Sequence, residues 1–314
     1  MNEPTPIMDM DTYPMQTPEV VLAPTGTETQ VPIVGIGARV EQETESAFRP
    51  QSLKEPIHLF GIRIHPVRMY EAVSCLQEWI ARRDGTCHFV VTPNTDHALL
   101  FQEHEEFREA YGNASLVTAD GMPVVLASRL FGRSLPQRVT GADLVPAMFS
   151  AAKPEAPLRA FLLGSAPGVA DRAATKIEDR WPHVDVVGTY SPPLGFENDE
   201  EEVREILDRV AAVEPDFLVV GLGAPKQELF VNKYRKQLKA SVAVCVGGTI
   251  DYLAGDVPRA PLWIRDFGLE WLFRCLSEPR RLAARYLHDA WRFPGLLWKE
   301  WTGGLNRASD IPES

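Results

Sequence analysis

One run of residues combines the side chains that nucleotide binding uses. A glycine turn comes first and three polar side chains follow it, and the members are Gly221, Gly223, Lys226, Gln227 and Glu228. Glycine lets a backbone approach a phosphate closely, and a lysine, an amide and a carboxylate can serve a phosphate, a base and ribose hydroxyls. Helix capping accounts for part of this run, because Pro225 suits a first helical position and Glu228 suits the first turn.

A second glycine loop offers a similar turn. Gly164 follows an apolar stretch and opens Gly-Ser-Ala-Pro-Gly (164–168) before a predicted helix. The free N–H groups and the positive dipole end of such a helix attract anions. Tight turns between a strand and a helix also favour glycine, so a phosphate site and a purely structural turn both remain open for the two loops.

Asp120 is the candidate for acid–base chemistry. It stands directly after a short apolar stretch, in Thr-Ala-Asp-Gly-Met-Pro (118–123), where it can take a proton from a hydroxyl group. The alternative is a structural role as the N-cap of the next helix. Thr92 and Asn94, in Thr-Pro-Asn after the preceding strand, are expected to face the same cleft.

Two further candidates for substrate binding, Arg138 and Asp143, lie close together in the chain. Thr140-Gly-Ala-Asp143 resembles a capping box with aspartate in place of glutamate, which gives Asp143 a structural explanation as well. Arg138, just before this motif, has no such explanation.

The elements that must position these side chains follow a strand–helix rhythm. Short apolar stretches predict a strand pair at 57–64, which turns at Gly61, and then single strands that alternate with helices; these strands are 88–91, 115–117, 160–163, 184–187, 217–220 and 242–246. This alternation predicts an α/β fold, a Rossmann-like and mostly parallel sheet with helices on both faces. In such a sheet ligands bind beyond the C-terminal ends of the strands, where all the candidates lie.

The composition changes at both ends of the chain. The N-terminal stretch has eight prolines and nine acidic residues against three basic ones, which predicts disorder. An α/β domain follows, with a smaller N-terminal α/β part, and a helical appendage closes the chain. The predicted boundaries are 1–56 for the acidic tail, 57–155 and 156–268 for the two halves of the domain, 269–302 for the appendage and 303–314 for a final tail.

The appendage has the composition of a helix that lies on a membrane. It combines tryptophans with six basic residues, and helical spacing is interrupted at Pro279 and Pro294. We predict contact with an anionic membrane surface, with Arg280, Arg281 and Arg285 binding a diphosphate or lipid headgroups; packing of these residues on the domain is the alternative. The sequence shows no secretory signal and no apolar run of the ~18–20 residues that span a bilayer, so the expected attachment is peripheral.

The overall charge excludes one class of partner. A net charge of −11 argues against nucleic acid, which requires a basic face. The four cysteines have no zinc-ligand spacing, so we predict no metal site and a reducing cytosol.

Five motifs occur together and in order, and they carry a family resemblance. They are Thr-Ala-Asp-Gly-Met-Pro-Val (118–124), Arg-Val-Thr-Gly-Ala-Asp-Leu (138–144), the glycine loop at 161–170, Gly-Leu-Gly-Ala-Pro-Lys-Gln-Glu (221–228) and the Arg-Ala-Pro…Glu-Trp-Leu…Arg-Tyr segment (259–286). The chain resembles the WecG/TagA/CpsF glycosyltransferases over roughly residues 57–290. The long acidic N-terminal tail has no counterpart in the family pattern.

The resemblance implies an inverting, metal-independent transferase with no cofactor besides its co-substrate, a UDP-sugar. The donor is commonly UDP-N-acetylmannosamine or its uronic acid, and a hexose is a further option. The acceptor is a sugar on a polyprenyl diphosphate, used for teichoic acid, enterobacterial common antigen or exopolysaccharide at the inner face of the cell membrane. The family motifs make Asp120 the general base, Thr92 a substrate contact and Gln227 and Glu228 nucleotide ligands.

Two other functions are weighed against this one. A nicotinamide-dependent oxidoreductase requires a compact GxGxxG with an acidic residue ~20 positions later, and no glycine turn here matches it. A non-enzymatic membrane-surface module requires only the appendage, with the sheet as its support. The sequence leaves the donor sugar, the acceptor and a possible homo-oligomer open.

Overall fold

The computed structural model describes residues 53–303 apart from 267 and 278, and at 262, 266, 280, 281 and 285 it describes the backbone alone. The predicted disordered tail therefore lies outside the described residues except for its last four positions. The predicted final tail likewise lies outside them except for Gly303.

The described chain begins with a hairpin and a helix. Strands β1 (Ile57–Leu59) and β2 (Ile62–Ile64) pair antiparallel, with Ile57 opposite Ile64. The turn between them contains Gly61 at a φ of 78°, which confirms the predicted turn. Helix α1 (Met69–Arg82) follows and completes the smaller N-terminal α/β part.

The described residues contain one large sheet of six strands, all parallel, which confirms the predicted fold class. The strands are β3 (His88–Val91), β4 (Leu116–Val117), β5 (Leu158–Gly164), β6 (Val184–Tyr190), β7 (Phe217–Gly221) and β8 (Val242–Cys245). Their spatial order is β4-β3-β8-β7-β5-β6. Strands β3 and β8 therefore join the two halves of the chain, and a crevice at their C-terminal ends is where ligands bind in open α/β sheets.

Helices connect these strands. They are α2 (Thr95–Glu103), α3 (Glu105–Gly112), α4 (Met122–Leu130), α5 (Gly141–Ser150), α6 (Val169–Arg180), α7 (Glu200–Val213), α8 (Lys226–Tyr234) and α9 (Thr249–Ala254), with a short 3-10 helix at Phe196–Asn198. The structure divides the helix predicted after β3 at His104, where extended backbone separates α2 from α3.

The hydrophobic core has two parts, one on each face of the sheet. Side chains alternate along each strand, so Phe89 and Val91 join one cluster while Val90, between them, joins the other. Helices α2, α3, α7 and α8 cover the first face, and α1, α5, α6 and α9 cover the second. Both faces are thus buried, as a parallel sheet requires.

The C-terminal segment forms α10 (Leu262–Asp266), α11 (Glu270–Ser277) and α12 (Pro279–Trp301). Pro279 is the first residue of α12, but the predicted interruption at Pro294 is wrong, because the helix continues through it. A proline inside a helix removes one hydrogen bond, and the buried residues Leu296 and Glu300 anchor the turns that follow. Among the described residues, none of the helices combines the length and hydrophobicity needed to cross a bilayer.

Candidate active site

Asp120 lies at the C-terminal end of β4, in a loop that is bonded to its neighbours. Its backbone N–H donates to the carbonyl oxygen of Pro93 at 3.0 Å, which joins this loop to the one after β3. On the other side, the Thr118 hydroxyl donates to the carbonyl of Val139 at 2.8 Å and brings the Arg138 segment alongside. The N-cap of α4 is Gly121, so the alternative interpretation of Asp120 as that cap is wrong.

The environment of Asp120 changes its acidity. Desolvation raises its pKa from 3.8 to about 6, and the carboxylates of Glu270 and Asp143 act in the same direction, while Arg138 opposes them. A carboxyl group of this pKa is ionised at neutral pH and is a stronger base than an ordinary aspartate. The location and the pKa both suit a general base.

Thr92 and Asn94 follow β3, beside Asp120, as the sequence predicts. Thr92 is buried. Asn94 is the N-cap of α2, and its side-chain oxygen accepts from the backbone N–H of His97 at 3.1 Å. The Asn94 oxygen therefore caps α2. Substrate contact by Thr92 or Asn94 stays a prediction.

A cluster of ion pairs faces the same edge of the sheet. Asp143 accepts from Arg259 at 2.7 Å and from Arg265 at 3.0 Å. Glu270 lies 3.3 Å from the Arg138 guanidinium and 3.5 Å from that of Arg259. Desolvation works to raise the pKa of Asp143, but Arg259 and its other partners outweigh it and keep the pKa below its ordinary value. We call Arg138, Asp143, Arg259, Arg265 and Glu270 the arginine cluster.

The predicted cap at Thr140 is also confirmed. Its side-chain oxygen accepts from the backbone N–H of Asp143 at 3.0 Å and starts helix α5. The Thr140 hydroxyl donates to the Asp143 carboxylate at 2.8 Å. Asp143 thus has a structural role and a second role in the arginine cluster.

Sequence reasoning selected Arg138 and Asp143 but missed Arg259, Arg265 and Glu270 as members of the site. The signal for Arg259 and Glu270 was present in the Arg-Ala-Pro and Glu-Trp-Leu motifs of the C-terminal segment, and Arg265 lies between these motifs. The residues selected there instead were Arg280, Arg281 and Arg285. Their backbones belong to α12, but their side chains lie outside the described residues, so their role stays a prediction.

The glycine loops after β5 and β7 are in contact with one another. Gly164 has a φ of 121°, and a Cβ atom on it would clash with the carbonyl group of Gly221. A Cβ atom on Gly221 would stand 2.8 Å from the carbonyl oxygen of Gly247, in the loop after β8. Close packing of three adjacent loops therefore explains Gly164 and Gly221, whereas Gly223, at a φ of 81°, faces open space.

The three polar residues after Gly223 differ in their surroundings. Lys226 is exposed and forms an ion pair with Glu197. Gln227 and Glu228 are buried, and the Gln227 amide donates to Glu228 at 2.7 Å while its oxygen accepts from the Gly247 N–H at 3.0 Å. The structure thus places Gln227 and Glu228 behind the glycine turns, and their direct contact with a nucleotide stays a prediction.

Comparison with known proteins identifies the family. The family described as "Glycosyl transferase WecG/TagA/CpsF family" matches residues 57–307, which include every part of this site. The chain belongs to the WecG/TagA/CpsF family. It is therefore a glycosyltransferase, and the oxidoreductase and the non-enzymatic module are excluded as its function.

Two relatives of this chain carry the same name, N-acetylglucosaminyldiphosphoundecaprenol N-acetyl-beta-D-mannosaminyltransferase. The relative from Bacillus spizizenii is 34% identical over 193 residues, which are 62% of this chain and 72% of the relative. The relative from Staphylococcus aureus strain MW2 is 27% identical over 226 residues, which are 72% of this chain and 86% of the relative.

Proposed function

We propose that this glycosyltransferase moves a sugar from a UDP-sugar to a sugar carried on a polyprenyl diphosphate, with inversion and without a metal ion. The observation that carries the proposal is the position of Asp120, a carboxyl group with a pKa of about 6, between the β3 loop and the arginine cluster. A base and a group of cations then stand together beyond the C-terminal ends of β3 and β4, on the side where ligands bind in open α/β sheets.

The chemistry requires one proton transfer and one bond exchange. Asp120 accepts the proton of the acceptor hydroxyl, and the oxygen attacks the anomeric carbon of the donor. The bond from that carbon to the diphosphate oxygen breaks, and UDP leaves with the electron pair. A single displacement of this kind inverts the anomeric configuration.

The arginine cluster can stabilise the charge that develops on UDP. Buried cations that are fixed before the reaction stabilise a leaving anion without reorganisation. Arg265 has an N–H donor available for the diphosphate, because its Nε atom is buried and has no hydrogen-bond partner among the described residues. The Tyr252 hydroxyl is also buried and has no hydrogen-bond partner among the described residues. The guanidinium groups of Arg259 and Arg274 lie over the Tyr252 ring, 6.0 and 5.4 Å from its centre. These cations are the reason that we propose a metal-independent reaction.

The donor nucleotide is the proposed co-substrate, bound at the loops after β5, β7 and β8. Gly223 offers open backbone, and helices α6 and α8 begin at these loops. Lys226 can bind a phosphate of the donor when its ion pair with Glu197 opens. The names of the relatives support N-acetylmannosamine as the sugar and N-acetylglucosaminyl diphosphoundecaprenol as the acceptor.

A membrane-bound acceptor requires the enzyme to reach the bilayer, and α12 offers a surface for this. Its buried residues Leu282, Asp289 and Leu296 recur every seven positions on one face. The opposite face exposes large apolar side chains, which are Leu287, Trp291, Trp298 and Trp301. Tryptophans concentrate at membrane interfaces, so we propose peripheral attachment to the inner face of the cell membrane through this face, which we call the tryptophan face.

The test is a transfer assay with purified protein, UDP-N-acetylmannosamine and a synthetic lipid-diphosphate N-acetylglucosamine. We expect release of UDP and a disaccharide product, both unaffected by EDTA.

Asp120→Asn keeps the shape of the side chain, and we expect it to lower turnover by about 10²-fold or more. Asp208→Asn, at an exposed position of α7, is the matched control. Turnover close to wild type in Asp120→Asn would remove Asp120 as the base, and loss restored by magnesium would reveal a metal requirement.

A further inference from the structure

Glu228 is a carboxyl group enclosed beneath the loops that are proposed to bind the donor. Its exposed fraction is 0%. One oxygen, Oε1, accepts from the Gln227 amide, and the other, Oε2, has no hydrogen-bond partner among the described residues. No ion pair joins it to a lysine or an arginine within that part of the chain. A buried carboxylate with no cation beside it and one oxygen left without a donor is costly, so the charged form is disfavoured.

The groups around Glu228 do not compensate for its burial. They are the Tyr111 hydroxyl from α3, the Cys245 thiol from β8 and the Asp96 carboxyl group from α2. The Tyr111 hydroxyl is itself bonded to the ring of His97 at 2.7 Å. Burial raises the pKa of Glu228 from 4.5 to about 8, against the hydrogen bonds from the Gln227 amide and the Glu228 backbone N–H, which favour the charged form, and Asp96 adds to the rise. Because Oε1 accepts the amide hydrogen, the carboxyl proton belongs on Oε2.

Gln227 connects this carboxyl group to the loop after β8. A backbone N–H can only donate, so the Gln227 oxygen must face Gly247 and the amide nitrogen must face Glu228. Gln227 has an exposed fraction of 2%, so water does not compete for either bond. The orientation of the amide therefore fixes the Gly247 turn, next to the β3 loop that is bonded to Asp120.

We propose that Glu228 is an uncharged positioning residue, which holds the Gln227 amide against Gly247 and so fixes the turn that receives the UDP diphosphate. The choice of UDP as the ligand rests on the proposed function, whereas the uncharged state of Glu228 does not. Ionisation of the carboxyl group strengthens its bond from the Gln227 amide, but this one donor does not replace hydration of a buried charge. The first turn of α8 must therefore open to water, and the Gln227 oxygen then leaves the Gly247 N–H. The consequence is weaker donor binding at alkaline pH.

Thermal unfolding tests the state of Glu228 without any ligand. The unfolded chain releases this proton near pH 4.5, whereas the folded protein keeps it up to about pH 8. Wild-type stability is therefore lost as pH rises between these values. Glu228→Gln cannot ionise, so we expect its melting temperature to exceed that of wild type by a gap that widens from pH 5 to pH 8 and is constant above pH 9. Glu201→Gln, an exposed glutamate in the first turn of α7, should show no such gap.

Calorimetry with UDP tests the positioning role. From pH 6.5 to pH 8.8 we expect the affinity of wild type to fall about fivefold relative to Glu228→Gln, the size of one hydrogen bond lost. Taking the ratio of the two proteins cancels ionisation of the uracil ring. Glu201→Gln should follow wild type.

Each outcome decides a different statement. Parallel melting curves at all pH values would show that Glu228 is ionised and would overturn the proposal. A widening melting gap with an unchanged ratio of UDP affinities would overturn it too, because Glu228 would then be a structural acid only. If wild type binds UDP at no pH, the proposed donor is wrong, and the melting gap still reports whether Glu228 is neutral.

Discussion

Desolvation is the largest influence on the pKa of Asp120, and residues of the arginine cluster add two influences that oppose each other. Desolvation favours the protonated form, Glu270 adds to it, and Arg138 favours the ionised form. Arg138 and Glu270 are also paired with each other at 3.3 Å. We therefore propose two functions for the cluster, which are to neutralise the leaving group and to keep Asp120 ionised at neutral pH while it remains a good proton acceptor.

The first prediction separates these two influences by pH profile. Asp120 must be ionised to accept a proton, so kcat/KM should rise with pH through about 6 and level off above it. Arg138→Gln removes a cation and should move this rise to higher pH, whereas Glu270→Gln removes an anion and should move it to lower pH, each by roughly one pH unit. Identical midpoints in the three proteins would show that another group controls the rise.

At the scale of the elements, the loops after the strands follow closely from the sequence. Apolar stretches bounded by glycine or polar residues predict β3, β7 and β8, and the structure places those strands within one residue of the expected ends. Local patterns suffice because a strand buried on both faces needs apolar side chains at every position. The same reasoning placed Thr92, Asp120 and the glycine turns at one edge of the sheet.

The sequence does not predict the contacts between distant elements. Arg259 meets Asp143 across 116 positions of the chain, and nothing in their local surroundings indicates the pairing. The burial of Glu228 is hidden for a similar reason. A glutamate after Pro-Lys-Gln has the pattern of an exposed residue in a first helical turn, and only the packing of α8 against the sheet encloses it.

The second prediction concerns the contact that holds α12 to the body of the protein. The buried carboxylate of Glu300 accepts from the backbone N–H of Phe60 at 3.1 Å and pairs with Arg133. Glu300→Ala would leave that N–H and the guanidinium without this acceptor. We expect unfolding free energy to fall by about 2–3 kcal/mol, measured by urea denaturation.

The control for this change is another ion pair between α12 and the body. Glu103, at the end of α2, pairs with Arg292, but both side chains are well exposed. Glu103→Ala should cost about 0–1 kcal/mol, because water screens such a pair. Equal losses in the two variants would mean that burial of Glu300 does not contribute to stability.

At the scale of the whole molecule, α12 has one face that packs on the body of the protein and one face that exposes apolar side chains to solvent. One face contacts the hairpin and α2 through Leu296, Glu300 and Phe293, whose ring meets that of Phe60 edge-on at 5.5 Å. The other is the tryptophan face. The arginine cluster reaches the same C-terminal segment through Glu270 in α11. We therefore propose that attachment through the tryptophan face presents this segment, and with it the arginine cluster, to the lipid-linked acceptor.

The last prediction tests that attachment. Trp291 and Trp298 are 87% and 62% exposed, and a soluble surface gains nothing from two such side chains on one helix face. Changing both to serine leaves the buried face of α12 intact, so we expect an unchanged melting temperature and unchanged transfer to a short-chain, water-soluble acceptor. Sedimentation with vesicles that contain anionic lipid should weaken by about tenfold or more, since each indole buries apolar area in the interface.

The control is Leu194→Ser, which changes a 74% exposed leucine in the loop after β6 and should bind vesicles as wild type does. Equal sedimentation of the double variant and wild type would disprove the membrane role, and a smaller particle mass in the variant would instead identify the tryptophan face as a contact between two copies of the chain.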